Sequence, residues 1–475
     1  MNSIVEAVKC ASENTPQKLA IISGKNKVTY RELYEKISAF AMGLKSRQIK
    51  RGSRIVIEAD DLISYFAAFL GCNLAGCIAV PIEKNIPIYT LQEILKNVKP
   101  KLVFMKNNGE SYKEFFATKE KANFSLPRPK DISVIVSTTG TTGKPVLVTH
   151  TNKSNVATVE NLINGTNMKG KDVAFTNLPF YLAVGFRRVF ASLYIEATAI
   201  IHDSDISDKE LADYINRYGV THVALANSNL KILLDAKNDE IKQTLSKITC
   251  VESLAGPLTA INIRNFHNAY PNVILYNVYG TTESGCLLIN NTRENSEEGC
   301  LGKTARHSDV FLIDENKKVI TKPEVYGHIA VRGDTNMVGY YRKKALTEEV
   351  MPSDYIIISD IAYFDKYGYF YFVSRVGDVI DVKGHKIIPT EIENIAIKYE
   401  GITDCALVSV ADERDINIPV LYVCPNENYN QEDLREYLSK ELENYKIPKT
   451  ILKITEIPRT STGKIIRHSL RINKI

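Results

Sequence analysis

Tryptophan is absent from the 475 residues, and methionine occurs only six times. With the abundance of Lys, Ile, Asn and Tyr, this resembles the coding bias of an AT-rich genome and excludes no function. Other absences are more informative. No run of about 18 consecutive apolar residues occurs, so a membrane-spanning helix is not expected. The opening MNSIVEAVKCASENTPQK mixes polar and apolar residues and lacks the apolar core of a secretory signal. The eight cysteines never form CxxC and have no histidine nearby at zinc-ligand spacing. That excludes a structural zinc site of the usual kind and points to free thiols in a reducing, cytoplasmic setting. The net charge of +5 is dispersed rather than gathered into a tail. Nucleic acid is therefore not an expected partner.

What remains is an ordinary globular composition, 44% hydrophobic and 24% charged, in a chain long enough for two or three domains. Helix and strand signals alternate from the start. Thr29-x-x-Glu32 is a capping box opening a helix to about Arg47, with Leu33, Ile37, Phe40, Ala41 and Leu44 at helical spacing. A strand at 54–58, a helix at 61–77, a strand at 78–80 ended by Pro81, a helix at 89–98 and a strand at 101–105 follow. Residues 106–130 look polar and loop-like. Beyond them, helices at 152–164, 208–218 and 232–246 alternate with strands at 172–176, 221–226 and 248–254. This alternation implies parallel sheets covered by helices.

Two stretches carry chemistry. Ser137–Lys144 reads STTGTTGK, between the strand-like 132–136 and 145–148. Thr138, Thr139, Gly140, Thr141, Thr142, Gly143 and Lys144 would place hydroxyls and backbone N–H groups at one bend, an inventory suited to phosphate oxygens. The glycine spacing is too short for G-x4-G-K, and Pro145 stands in the Ser/Thr position, so this is not the ordinary P-loop. The second stretch is Leu275–Gly285, where a strand ends in Asn277, Tyr279, Gly280, Thr281, Thr282 and Glu283. Tyr279 offers a face to a purine, Thr281 and Thr282 offer hydroxyls to a phosphate, and Glu283 offers an oxygen ligand to a hard cation such as Mg²⁺.

These two stretches, TTGTTGKP and NVYGTTE, resemble the nucleotide signatures of the adenylate-forming superfamily: acyl- and aryl-CoA ligases, luciferases and nonribosomal adenylation domains. Four later segments agree in order. They are Gly333–Thr347, Ser359-Asp360-Ile361, Ser374–Glu393 (resembling the hinge signature) and Pro458–Lys464 (resembling the catalytic lysine loop). The resemblance spans roughly residues 10 to 470. It implies an α/β fold with a large N-terminal domain of two αβ-layered sheets plus a distorted β-barrel, and a small mobile α+β C-terminal domain. It implies an AMP-forming acid–thiol ligase that joins a carboxylic acid to ATP with Mg²⁺, releases pyrophosphate and passes the acyl group to CoA or to the phosphopantetheine of a carrier protein. By the same resemblance, residues 138–144 wrap the β- and γ-phosphates, and Asn277 and Tyr279 contact adenine. Thr282 reaches the α-phosphate, Glu283 holds Mg²⁺, Asp360 and Arg375 bind the ribose, and Lys464 bridges carboxylate and α-phosphate. The small domain, residues 377–475, turns about a hinge at Gly377. It alternates Lys464 with the loop at Lys383 and Gly384, which serves thioester formation. Within it, a helix opened by a Thr390-x-x-Glu393 box is expected, closed by Gly401.

The chain departs from the pattern at two places. Val146 follows Pro145 where the family usually carries a lysine, which motivates a non-catalytic nucleotide-binding relative as an alternative. Leu182 stands where many CoA ligases carry a gating histidine or aromatic. The acid pocket is expected at Phe180, Tyr181, Gly185 and Gly256. No acidic residue occurs in 180–186, which disfavours an α-amino acid and favours an aryl or aliphatic acid. Arg187 and Arg188 are read as surface or structural arginines, with a second substrate carboxylate or CoA phosphates as the other reading.

Overall fold

The computed structural model describes residues 1–106, 109–117, 124–139, 145–254, 258–382, 385–411, 417–443, 446–448, 450–459 and 465–470. The chain divides into two compact units. One comprises Met1–Val310 and Val331–Ile357, the other Phe311–Ala330 and Ile358–Ile475.

The first unit holds the two expected αβ layers. One sheet has six strands, ordered Gly339–Tyr340, Pro145–Thr151, Ile132–Thr139, Ile78–Ile82, Arg54–Glu58 and Leu102–Phe104. The other runs Cys300–Thr304, Gly285–Asn291, Ile274–Thr281, Cys250–Leu254, His222–Ala226, Val173–Thr176, Thr198–Ile201, Leu19–Ser23 and Asn26–Thr29. The inner strands pair in parallel, as helical crossovers require. Side-chain alternation sorts each strand. Ile55 and Ile57 join one core while Val56 joins another on the opposite face. The largest core draws residues from both sheets through the helices Tyr30–Ser46, Leu62–Leu74 and Ala183–Tyr194.

Local chemistry explains most boundaries. The Thr29–Glu32 capping box is present, and Asp61 caps the helix Leu62–Leu74. Three expectations need correction. Pro81 does not end its strand: it lies inside Ile78–Ile82, opposite Ile57 in a parallel pair. The segment after residue 106 is not all loop. Ser111 caps a short helix, Tyr112–Phe116, whose Phe115 is buried beside Phe40 and Phe104. The helix expected at 232–246 is broken into Lys231–Leu234 and Asp239–Leu245, the second capped by Asn238. The strand Ile274–Thr281 ends within the segment expected and turns back into Gly285–Asn291.

In the second unit, Ile356–Phe364 and Phe370–Arg375 form an antiparallel pair. Further on, Ile402–Ala411, Asn417–Pro425 and Thr450–Lys453 make a three-stranded sheet with helices Pro389–Ala396 and Gln431–Glu441. The expected capping box at Thr390 is absent. The helix starts at Pro389, Thr390 donates its hydroxyl to the Val373 carbonyl, and Glu393 is buried with Arg467. Proline at the first helical position supplies the start that the box was expected to supply. No helix among the described residues is long and apolar enough to cross a membrane, and all eight cysteines are free thiols.

Helix Ala183–Tyr194 is tied to the second sheet by a fully buried ion pair, Arg188 Nη2 to Glu252 Oε1 at 2.6 Å, with Met168 Sδ accepting from the same guanidinium. Removing one partner strands the other charge in the core. Glu252→Gln should destabilise the protein by about 3–5 kcal/mol, whereas Arg188→Met with Glu252→Leu should recover most of the loss. Denaturant unfolding of the single and double variants checks this.

Candidate active site

The centre of the candidate site is the turn after the strand Ile274–Thr281. Gly280 is required there, because a Cβ would lie 2.0 Å from the Gly285 carbonyl oxygen. Gly285 sits at φ +73°, a left-handed conformation that glycine adopts without strain. Thr281 closes the turn: its Oγ1 lies 2.7 Å from Ser284 Oγ and accepts from the Ser284 N–H at 3.2 Å. Its hydroxyl is thus engaged with a neighbour. Glu283 is held at both ends. Its carbonyl accepts from Met337 N–H at 2.7 Å, and its Oε1 accepts from Tyr340 Oη at 3.1 Å. Burial and the Glu283 charge together push the Tyr340 phenol far up, so it stays a donor. Asn277 is buried and donates Nδ2–H to the Cys300 carbonyl at 2.8 Å, while Tyr279 is half-buried.

Sequence reasoning missed the residue beneath this turn. His150, at the end of Pro145–Thr151, is fully buried, and its Nε2 lies 2.7 Å from the Thr282 carbonyl. A carbonyl only accepts, so the proton is on Nε2. Nδ1 faces Ser154 Oγ at 3.1 Å. Burial, then the charge of Arg187, hold His150 well below the usual imidazole range, against the pull of the Thr282 bond. The only local signal was a histidine between two threonines at a strand end, which does not name a partner 132 positions away.

Neither arginine of the following helix is a surface residue. Arg187 and Arg188 are 3% and 1% exposed. Arg188 is structural, paired with Glu252, and Arg187 donates Nε–H to Asn155 Oδ1 at 3.0 Å. Of the expected acid pocket, Phe180 is 3% exposed, with its ring edge-on to Phe66 at 5.7 Å and its carbonyl accepting from Tyr65 Oη at 2.8 Å. Tyr181 is half-buried at the edge of the same core. Gly185 is dictated by packing, since a Cβ would meet the Pro179 carbonyl at 2.2 Å. Gly256 lies outside the described residues.

Strands Ile132–Thr139 and Pro145–Thr151 bracket the threonine–glycine loop, with Thr139 opposite Pro145 and Thr138 Oγ1 donating to the Val146 carbonyl at 3.4 Å. Gly140, Thr141, Thr142, Gly143 and Lys144 lie outside the described residues, as do Lys383, Gly384 and Lys464. In the second unit, Asp360 and Arg375 are directly opposite across the antiparallel pair. Arg375 Nε lies 3.0 Å from Asp360 Oδ1, the aspartate buried and the arginine partly exposed. An added Cβ at Gly377 would meet nothing within 4 Å among the described residues, so their packing does not demand glycine there. Three residues beyond Lys464, Arg467 reaches Asp378 Oδ2 at 3.2 Å and Glu393 Oε2 at 3.0 Å and donates to the Leu407 carbonyl at 2.8 Å. That cluster also went unread in the sequence.

Against this geometry, a profile of AMP-binding enzymes matches residues 8–341 and one of the AMP-binding enzyme C-terminal domain matches 391–464. The chain belongs to the AMP-binding enzyme family. Among its curated relatives, a 2-succinylbenzoate–CoA ligase of Staphylococcus epidermidis is 26% identical over 97% of this chain and 96% of that protein. An Arabidopsis thaliana 4-coumarate–CoA ligase is 27% identical over 93% of this chain and 86% of its own. Bacitracin synthase 3 of Bacillus licheniformis is 25% identical over 96% of this chain, which spans 7% of that synthase. In fold, this AMP-binding enzyme is similar to ATP-bound MatB from Rhodopseudomonas palustris, with a TM-score of 0.91 and 20% identity over 99% of this chain and 98% of that one.

The buried histidines of this family member set a pH dependence. His222 is pushed down to about 4, by burial first and then by the charge of Arg188, and His150 is lowered as well. Both folded-state values lie below the unfolded one of about 6.5, so the unfolded chain takes up protons first as the medium is acidified. The contribution of His222 should be complete above pH ~6.5 and lost between there and pH ~4, at up to ~1.4 kcal/mol per pH unit, and that of His150 should also fall as the pH drops below ~6.5. Melting temperatures across that range, with a His222→Asn variant showing a shallower fall, check the sign.

Proposed function

We propose that this chain activates a carboxylic acid with ATP and transfers the acyl group to the thiol of CoA. The observation that carries the reading is the Thr282–Glu283 turn. Its backbone is pinned by His150 and Met337 and its carboxylate is oriented by Tyr340, with the paired strands of the threonine–glycine loop next to it in the same six- and nine-stranded unit. In the first step a carboxylate oxygen attacks the α-phosphorus and the bond to pyrophosphate breaks. In the second the thiol sulfur attacks the acyl carbon and AMP leaves. Two anions meet in the first step, so positioned donors and cations carry the catalysis.

Residue roles follow the same reading. The 138–144 loop receives the β- and γ-phosphates. Asn277 and Tyr279 face adenine, with Gly280 and Thr281 shaping the turn. Thr282 meets the α-phosphate, Asp360 and Arg375 meet the ribose, and Lys464 bridges carboxylate and α-phosphate. Among the described residues no three His, Cys, Asp or Glu side chains cluster as a metal cage. Mg²⁺ needs no such cage, since it binds through one or two carboxylates, water and substrate phosphates. Glu283 would hold it, and when bound it supplies charge neutralisation at the phosphates. Residues 377–475 would act as the mobile small domain, hinged at Gly377, with Lys383 and Gly384 presented for the second step. The lack of an acidic residue in 180–186 supports an aryl or aliphatic acid over an α-amino acid.

A second acceptor, the phosphopantetheine of a carrier protein, is supported by the similarity to bacitracin synthase 3. Thioester assays with CoA and with a phosphopantetheinylated carrier separate the two. Acid-dependent exchange of pyrophosphate into ATP should be detectable with at least one aryl or aliphatic acid. Lys464→Ala should lower it by roughly 10²–10³-fold, as for loss of one transition-state donor, yet still make thioester from supplied acyl-AMP. Exchange with no acid would favour a non-catalytic relative, the reading motivated by Val146, and undiminished exchange in the variant would remove Lys464 from the reaction.

A further inference from the structure

Arg187 and Arg188 are consecutive, equally buried and differently served. Arg188 has Glu252 at 2.6 Å, whereas no carboxylate among the described residues lies within 4 Å of Arg187. The Arg187 side chain is not loose. Asn155 Oδ1 holds its Nε at 3.0 Å, and the Phe186 ring centroid lies 5.8 Å from the guanidinium carbon. Its Nη2 is buried and has no hydrogen-bond partner among the described residues. A buried cation with an unfilled donor is costly unless an anion completes it. The groups that sense it are Glu283, Cys286 and His150. Burial pushes Arg187 down to about 10 and the first two oppose that, so it stays charged at neutral pH.

We propose that Arg187 is the anion-recognising residue of the acid pocket, and that the preferred substrate is a carboxylic acid carrying a second carboxylate. This rests on the acid-activating reading above and deepens it. The helix bearing Arg187 begins at Ala183, straight after the Pro179–Leu182 segment assigned to the acid, and Gly185 lets that segment pack against the helix without a side chain between them. The guanidinium is also close enough to the catalytic turn for its charge to lower His150, which binds the Thr282 carbonyl, and for the Glu283 charge to act on it. One carboxylate of a diacid would react while the other fills the Nη2 donor, a charge-assisted pair in a desolvated site.

The test is pyrophosphate exchange with matched pairs, such as hexanoate against adipate and benzoate against terephthalate, in wild type, Arg187→Met and Arg187→Lys. Protection from thermal unfolding by each acid in the presence of AMP gives a second readout. Wild type should favour the diacid by at least ~10-fold in kcat/KM. Arg187→Met should lose roughly 100-fold with the diacid, in line with breaking a buried charge pair, and leave the KM for ATP within about twofold. Arg187→Lys should retain part of the preference, and it decides the matter together with the wild-type ratio if the methionine variant does not fold. Equal use of monoacids and diacids by wild type overturns this proposal while leaving the acid-activating function standing. A rise in the KM for ATP with every acid alike overturns it in favour of a nucleotide contact. Exchange with no acid at all overturns both.

Discussion

A single inward-pointing carbonyl organises the candidate site. Thr282 gives its carbonyl to a neutral, sealed imidazole, and the next residue, Glu283, has its carboxylate held by the Tyr340 hydroxyl. Had His150 carried charge, a cation would lie buried next to Arg187. Burial and that neighbour both keep it neutral, so it acts as a donor of fixed direction rather than as an acid or base. The turn is further confined by Gly280 and Gly285, where any side chain would collide with backbone or with Thr158. The chemistry assigned to the turn, holding anions that repel one another, depends on donors that need not reorganise.

The same constraint bears on the loop that lacks the usual lysine after Pro145. Val146 sits in a regular antiparallel register opposite Thr138, so the position is part of the sheet rather than a free arm. In the mechanism proposed above, charge for the phosphates would come from Lys144, Lys464 and Mg²⁺ instead. In the second unit a related economy appears. Asp360 is oriented by Arg375 directly opposite it, and Arg467 gathers Asp378, Glu393 and the Leu407 carbonyl around one guanidinium close in sequence to Lys464.

The family was legible because its marks are contiguous: STTGTTGK and NVYGTTE each lie in neighbouring residues. The αβ alternation was legible for the same reason, since periodicity and the caps at Thr29 and Asp61 are local. What escaped was non-local. His150 meets Thr282, Tyr340 meets Glu283, and Arg467 meets Glu393 across 132, 57 and 74 positions, and no pattern in one sequence announces such pairs. Thr390 and Glu393 misled because a capping-box spacing also arises when tertiary partners claim both side chains. Pro81 misled because its missing N–H was taken as a stop in a strand that tolerates it. Arg187 and Arg188 were read as surface or structural arginines, and only the fold reveals that both are enclosed and that, among the described residues, just Arg188 has a carboxylate partner.

The central claim is that a carboxylate oxygen attacks the α-phosphorus of ATP at this site. Turnover with an acid labelled by ¹⁸O in its reacting carboxylate, followed by mass spectrometry of the products, tests it most directly. The account predicts one ¹⁸O in AMP and none in pyrophosphate, with the other labelled oxygen kept in the thioester. Label in orthophosphate or pyrophosphate, or AMP free of label, would contradict it.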